Sequence, residues 1–147
     1  MANLTAGTSE TITGFEQSIY TKRPVKGTAA TYYPGGMLSV DATGYLVKAG
    51  DTAGTLFAGI NREPKPLAVA TGAADGDNNI LVARPRYFLA KHSGLVVADV
   101  GKIACIVDDQ TVALAATTTN DVAAGRITRW ISATEVQIET LPFGQNA

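Results

Sequence analysis

The chain holds one cysteine, Cys105, and one histidine, His92, among its 147 residues. A lone thiol cannot form an intrachain disulfide or build a cysteine zinc site. That usage fits synthesis in a reducing cytoplasm. Charge is scarce as well: Asp, Glu, Lys and Arg make up 17% of the residues, against about a quarter in typical domains. The formal net charge of -1 gives no long-range pull toward nucleic acid or an anionic membrane, so direct binding to either is not expected. No apolar run approaches the roughly 18 residues that a bilayer span requires. The N-terminal MANLTAGTSE has neither a basic n-region nor an apolar h-region, which argues against a signal peptide.

What is present is Ala, Val, Ile, Leu and Thr, a composition that favours β-structure with large contact surfaces. The length predicts one domain. Residues 1–31 are polar and lack helical periodicity, with isolated apolar residues at Leu4, Ile12, Phe15, Ile19 and Tyr20. Such composition suits an unstructured terminus or an extended arm across a neighbouring subunit. Residues 32–147 form the β-rich domain. MLSVDATGYLVKAG reads as two strands around an Asp41–Gly44 turn, and FAGINRE as a third strand. Residues 64–79 read as a long loop. ILVARPRYFLA is strand-like but broken by Pro85, which implies an edge, bulge or bend. KIACIVDDQTVAL gives two more strands, and RITRWISA and TEVQIETL the last two. Helix signals are confined to single turns near Asp51–Leu56 and Thr119–Ala124. The expected fold is all-β, a small barrel or sandwich of short antiparallel strands with an extended N-terminal arm.

Chemical motifs fail on inspection. In AGDTAGTLFAGI the spacing Gly50-x-x-x-Gly54-Thr55 lacks the lysine of a phosphate loop, so its glycines read as backbone corners. Asp75-Gly76-Asp77-Asn78-Asn79 starts like a calcium loop, but Ile80 and Arg86 stand where that loop needs Gly and Glu, so a surface turn is expected. His92 has only Ser93 beside it, and Lys91–Gly94 reads as an exposed turn. Cys105 alternates with Ile103 and Val107 and reads as a buried small apolar residue. Glu135 and Glu139 fall on the solvent face of the last strand without a polar cluster around them. No catalytic residue, metal or cofactor is expected, and the chain does not read as an enzyme.

Two segments echo each other. GGMLSVDATGYLVKAGDTAGTLFAGI and VGKIACIVDDQTVALAATTTNDVAAGRI both run glycine, apolar strand, acidic turn, apolar strand, polar loop and Ala-Gly into a new strand. They suggest an internal repeat over 35–60 and 100–127, with Gly59 and Gly125 in matching close-packed positions. The pattern GGMLSVDATGYLVKAGD, FAGI, GKIACIVDDQTVAL and AAGRITRWISATEVQIETL, over about residues 34–141, resembles the decoration or cement proteins of tailed double-stranded DNA bacteriophage capsids. The resemblance implies a β-rich, homotrimeric structural protein of the virion, made in the host cytoplasm and bound to the outer capsid surface. Its implied partners are the major capsid protein and further copies of itself. The longer N-terminal arm and the 61–79 insertion depart from the shortest members.

Interface candidates follow from side-chain type: aromatics combine large buried area with few rotors. They are Phe15, Tyr20, Tyr32, Tyr33, Tyr87 and Trp130, with Arg84, Arg86 and Lys91 as a small basic face. The expected role is a stabilising clamp across neighbouring capsid subunits. The alternative is a receptor- or carbohydrate-binding module of a phage fibre or spike, for which Trp130 and Tyr87 would be the exposed aromatics.

Overall fold

A computed structural model describes residues 20–141. Its elements are strands β1 (Tyr20–Pro24), β2 (Ala30–Tyr32), β3 (Met37–Val40), β4 (Leu46–Lys48), β5 (Leu56–Asn61), β6 (Leu67–Val69), β7 (Asn79–Ala83), β8 (Tyr87–Lys91), β9 (Ile103–Ile106), β10 (Val112–Leu114), β11 (Ala123–Ser132) and β12 (Glu135–Thr140), plus single 3-10 turns at Val97–Asp99 and Ala115–Thr117. The fold is all-β and its strand pairs are antiparallel, as the composition indicated. Neither expected helical turn forms where it was placed. The one nearest falls at Ala115–Thr117, and Asp121 instead takes a positive φ of 51°.

Two five-stranded sheets carry the architecture, in the orders β1-β7-β5-β3-β4 and β10-β9-β11-β12-β8. Written by position along the chain, both follow one plan: the first strand of each unit is outermost, then the fifth, fourth, second and third. The register repeats at one constant offset. Leu38 faces Gly59 as Ala104 faces Gly125, Ser39 faces Phe57 as Cys105 faces Ala123, and Val40 faces Leu46 as Ile106 faces Val112. Each unit has its bulge at the residue before the matched glycine, Ala58 or Ala124. Hydrogen bonds outside the ladders repeat too. Gly35 N–H donates to Asn61 O and Asn61 N–H to Gly36 O (both 2.8 Å), as Gly101 does to Ile127 O (2.7 Å) and Ile127 to Lys102 O (2.9 Å).

The matched glycines mark where β5 and β7, or β11 and β12, approach too closely for a side chain. A Cβ on Gly59 would lie 2.7 Å from Val82 Cγ1, and one on Gly125 would lie 2.6 Å from Ile138 Cγ2, with a strand carbonyl nearer still in each case. That close approach bends each sheet until its edges meet. Val25 bridges Leu46 in parallel in the first unit, and Lys91 bridges Thr111 in the second. Each sheet thus curls into a small barrel around apolar residues. The first core holds Val25, Leu38, Val40, Leu46, Ile80 and Val82, and Tyr32 and Val69 from the β2–β6 ribbon cover it. The second holds Ile106, Val112, Val136 and Ile138 together with Met37, Phe57 and Ile60 from the other face of β3 and β5. The rings of Phe57 and Phe88 stack there with centroids 5.5 Å apart. The second core is therefore built from both units.

Three readings of the sequence change. Residues 20–31 belong to the folded body, since β1 pairs with β7 along its length and β2 with β6, so an arm can extend no further than residue 19. The 64–79 loop contains β6. Pro85 does not bend one strand; it lies in the three-residue link that carries the chain from the first sheet to the second. With no N–H and a fixed φ, proline suits a crossing that belongs to neither ladder.

Candidate functional site

The reactive groups that drew attention in the sequence are engaged inside the molecule. His92 is buried rather than part of an exposed turn. Its Nδ1 accepts from Leu95 N–H (3.1 Å), which leaves Nε2 to donate to Ser132 O (2.9 Å). Cys105 is fully buried, and burial pushes its thiol pKa up, away from reactivity. Asp75, the first residue of the calcium-like run, accepts from Gly27 N–H (2.8 Å) and Lys26 Nζ (3.2 Å), and these bonds hold its carboxyl below the ordinary range. No group of three or more metal-ligating side chains is clustered among the described residues. No helix among them is long and apolar enough to cross a membrane.

The interface candidates separate into two sets. Tyr32 is 3% exposed in the first core, where burial raises its phenol pKa, so it is a packing residue. Arg84 lies in the link between the sheets. Its guanidinium donates to Phe57 O (3.1 Å), Ala58 O (3.0 Å) and Leu141 O, and sits 5.7 Å from the Phe57 ring centroid. Burial, then Arg23, pulls its pKa down. It ties the first unit's bulge to the end of the second unit. Trp130 packs against the shared core, and its indole N–H donates to Leu95 O (3.0 Å). Register shifts at Ile127/Arg129 and Trp130/Ser132 bracket it and turn its ring inward while Ile131 faces out. Phe15 lies outside the described residues.

Tyr20, Tyr33, Arg86 and Tyr87 do reach the surface. Tyr20 faces Ala83 in the first unit as Tyr87 faces Glu139 in the second, so the two tyrosines are the same position of the repeated plan. Each begins the outermost strand of its sheet, and they are 45% and 43% exposed. Arg86 lies over the Tyr87 ring at 5.1 Å and pairs with Glu139 (3.2 Å), which holds that ring in place. Along β8, Leu89 continues the exposed face beyond Tyr87. Tyr33 walls a cleft of about 480 Å³ between the two units, with Met37, Leu89 and Ala90 as apolar lining and Lys48, Asp109 and Glu135 at its rim. Lys48 pairs with Asp109 (3.4 Å) and lies 6.0 Å from the Tyr33 ring centroid.

Sequence reasoning passed over the exposed valines Val96, Val97 and Val100. Their signal was there: KHSGLVVADVG places apolar residues between Gly94 and Gly101, both at positive φ, where a strand cannot run. Against protein-family models, curated proteins and solved structures, the chain finds no match.

Proposed function

We propose that this protein is a structural, non-enzymatic virion component that decorates a phage capsid, binding as an oligomer across neighbouring major capsid subunits. One observation carries the reading: Tyr20 and Tyr87 are exposed at the same position of two repeated edge strands. A body that offers one contact twice suits a partner that is itself repeated, and a shell of identical subunits is such a partner. Two linked contacts of modest strength give an attachment far stronger than either alone. The inward commitment of His92, Cys105 and Arg84 is compatible with the same reading, since each is engaged in holding the body together. The phage and capsid assignment comes from the sequence resemblance, and oligomers with the symmetry of the local lattice follow from it.

Light scattering combined with co-sedimentation on purified capsids tests the proposal. The full chain is expected to be a homotrimer and to pellet with capsids. Tyr20→Ser with Tyr87→Ser is expected to weaken pelleting more than the product of the single changes would for independent contacts. Truncation of the arm should remove residues 1–19 and no more, since cutting at 31 would also delete β1 and β2. A monomeric chain that ignores capsids sinks the reading. The Tyr33 cleft favours a second one, a carbohydrate-binding module: an aromatic wall beside Lys48, Asp109 and Glu135 is a surface on which a sugar ring can stack and hydrogen-bond. Trp130, turned inward, does not contribute to it. Glycan binding that Tyr33→Ala abolishes would favour that module over the decoration protein.

A further inference from the structure

His92 is buried, 5% exposed, at the foot of the segment that joins β8 to β9. Main-chain groups hold its ring from both sides. Leu95 N–H donates to Nδ1 (3.1 Å), and Nε2 donates to Ser132 O (2.9 Å). The first bond fixes the charge of the ring as well as its tautomer, because a nitrogen that accepts from an N–H cannot carry a proton of its own. The closed segment therefore accommodates the imidazole only in its neutral form.

The bond that needs a neutral ring also closes the segment. Trp130 clamps Leu95 from the other side, its indole N–H donating to the Leu95 carbonyl (3.0 Å), and the Leu95 side chain belongs to the second core. Charged groups surround the ring from several elements. In the 3-10 turn, Asp99 lies near enough for His92 to act on its carboxyl, which Lys102 first (2.8 Å) and then Val96 N–H (2.9 Å) hold below the ordinary carboxylate range. Asp99 therefore stays an anion while a histidine gains its proton. An anion that near favours the charged ring, so it works against the Leu95 bond as pH falls. Lys91 is the neighbour of His92 on β8, and Glu135 faces Lys91 from β12. From β11 the ring meets the Ser132 carbonyl, a neutral acceptor.

We propose that His92 is an acid-sensitive latch: a proton taken from solvent at Nδ1 breaks the bond from Leu95 N–H and releases residues 93–100 from the second core. Histidine is the side chain that ordinarily changes charge between pH 5 and 8, and this chain has one. With the ring neutral the latch is closed, so its stabilisation is full above that range and is lost as pH falls through it. Opening frees the amide of Leu95, the indole N–H of Trp130 and the apolar side chain of Leu95 together. The protein thus presents one surface in neutral surroundings and another in acid. The latch stands apart from the proposed function, since it needs neither a capsid nor an oligomer.

Hydrogen exchange on the full chain tests it, followed by NMR from pH 7 to 5 with the intrinsic rates divided out. One proton taken up per opening should lower the protection factors of the Leu95 amide and the Trp130 indole N–H together, by about tenfold per pH unit below about pH 6.5. The Ile106 amide, bonded to Val122 O (2.8 Å) inside the second barrel, should be at least about tenfold more protected at pH 7, since it opens only with the whole unit. His92→Asn keeps an oxygen to accept from Leu95 N–H but has nothing to protonate, so its Leu95 protection should be level across that range. Flat Leu95 protection in the wild type, or Leu95 and Ile106 equally protected, overturns the latch. So does a His92→Asn variant that loses protection in acid as the wild type does. Should that variant not fold, the wild-type slope and the comparison of Leu95 with Ile106 still decide.

Discussion

Gly59 and Gly125 should both be highly sensitive to substitution, and unequally so. An added Cβ meets a strand carbonyl and a branched methyl at each site: Ala83 O and Val82 Cγ1 at 2.7 Å for Gly59, Glu139 O and Ile138 Cγ2 at 2.6 Å for Gly125. The methyl could give way by rotation; the carbonyl belongs to a hydrogen-bonded strand and cannot. Overpacking of this kind costs about 1–3 kcal/mol, and a backbone obstacle puts both sites at the upper end. Gly59 carries an additional term, since its φ of 147° is one that alanine adopts only under strain, worth about 1–3 kcal/mol more. Gly54 is the control: its φ is 78°, but nothing lies within 4 Å of the added carbon, so it bears the conformational term alone. Urea unfolding at 25 °C should therefore rank Gly59→Ala as most destabilising, at about 4 kcal/mol or more, then Gly125→Ala at about 3, then Gly54→Ala at about 1–2. Against a typical total of about 5–15 kcal/mol, the double variant Gly59→Ala/Gly125→Ala should not fold. If Gly125→Ala falls within about 0.5 kcal/mol of wild type, an ordinary surface effect, the close strand approach does not shape the second barrel and the reasoning fails.

Arg84→Met should cost about 2–4 kcal/mol by leaving the carbonyls of Phe57, Ala58 and Leu141 without their donor; a loss under 1 kcal/mol in the same urea assay would show that water replaces the guanidinium. Ser39 is fully buried and its Oγ has no partner among the described residues, so Ser39→Ala should stabilise by about 0.5–1.5 kcal/mol, seen as a raised melting temperature. Asp51 accepts from the N–H groups of Thr119 (2.7 Å) and Asn120 (2.8 Å), and these bonds hold its carboxyl below the ordinary value of 3.8. A depressed folded pKa gives stabilisation that is full above that value and lost as pH falls through the depressed one. The protection factors of the Thr119 and Asn120 amides, with the intrinsic slowing of exchange in acid divided out, should therefore fall below about pH 4 in the wild type and already be low at neutral pH in Asp51→Asn; equal protection in both proteins would contradict it.

Much of the second unit was legible because its strands obey period-two patterning and its turns carry Asp or Gly. Val136 and Ile138 face in while their neighbours face out, and Asp108 caps its turn by accepting from Gln110 and Thr111 N–H. The matched Ala-Gly pairs were visible for the same reason: a residue type that only close packing or special φ demands leaves a mark in the sequence. What stayed hidden depended on tertiary context. In β1, YTKRP has no apolar alternation, since as an outermost strand it is held mainly by its ladder to β7. β6 is three residues between loops, and only its place over the first core makes Leu67-Ala68-Val69 a strand. The phase of β11 was hidden as well: register shifts on either side of Trp130 interrupt its pairing with β12, and periodicity cannot see a bulge that a partner strand imposes. His92 was misplaced because its partners, Leu95 and Ser132, lie on different elements.

The repeat also explains why the surface carries the features it does. Two copies of one barrel plan cannot both be covered in the same way when one packs its outer face on the other: the outer face of β3 and β5 in the first unit is buried against the second through Met37, Phe57 and Ile60, whereas the corresponding positions of the second unit, Ile103, Ala123 and Arg126, have no third unit to meet. The second unit answers this by changing residue type, with Arg126 exposed where Ile60 is buried. Val96, Val97 and Val100, exposed in the second unit, stand where the register that matches Gly35 with Gly101 places Ala30, Thr31 and Pro34 in the first, so here too the residue type differs between the units.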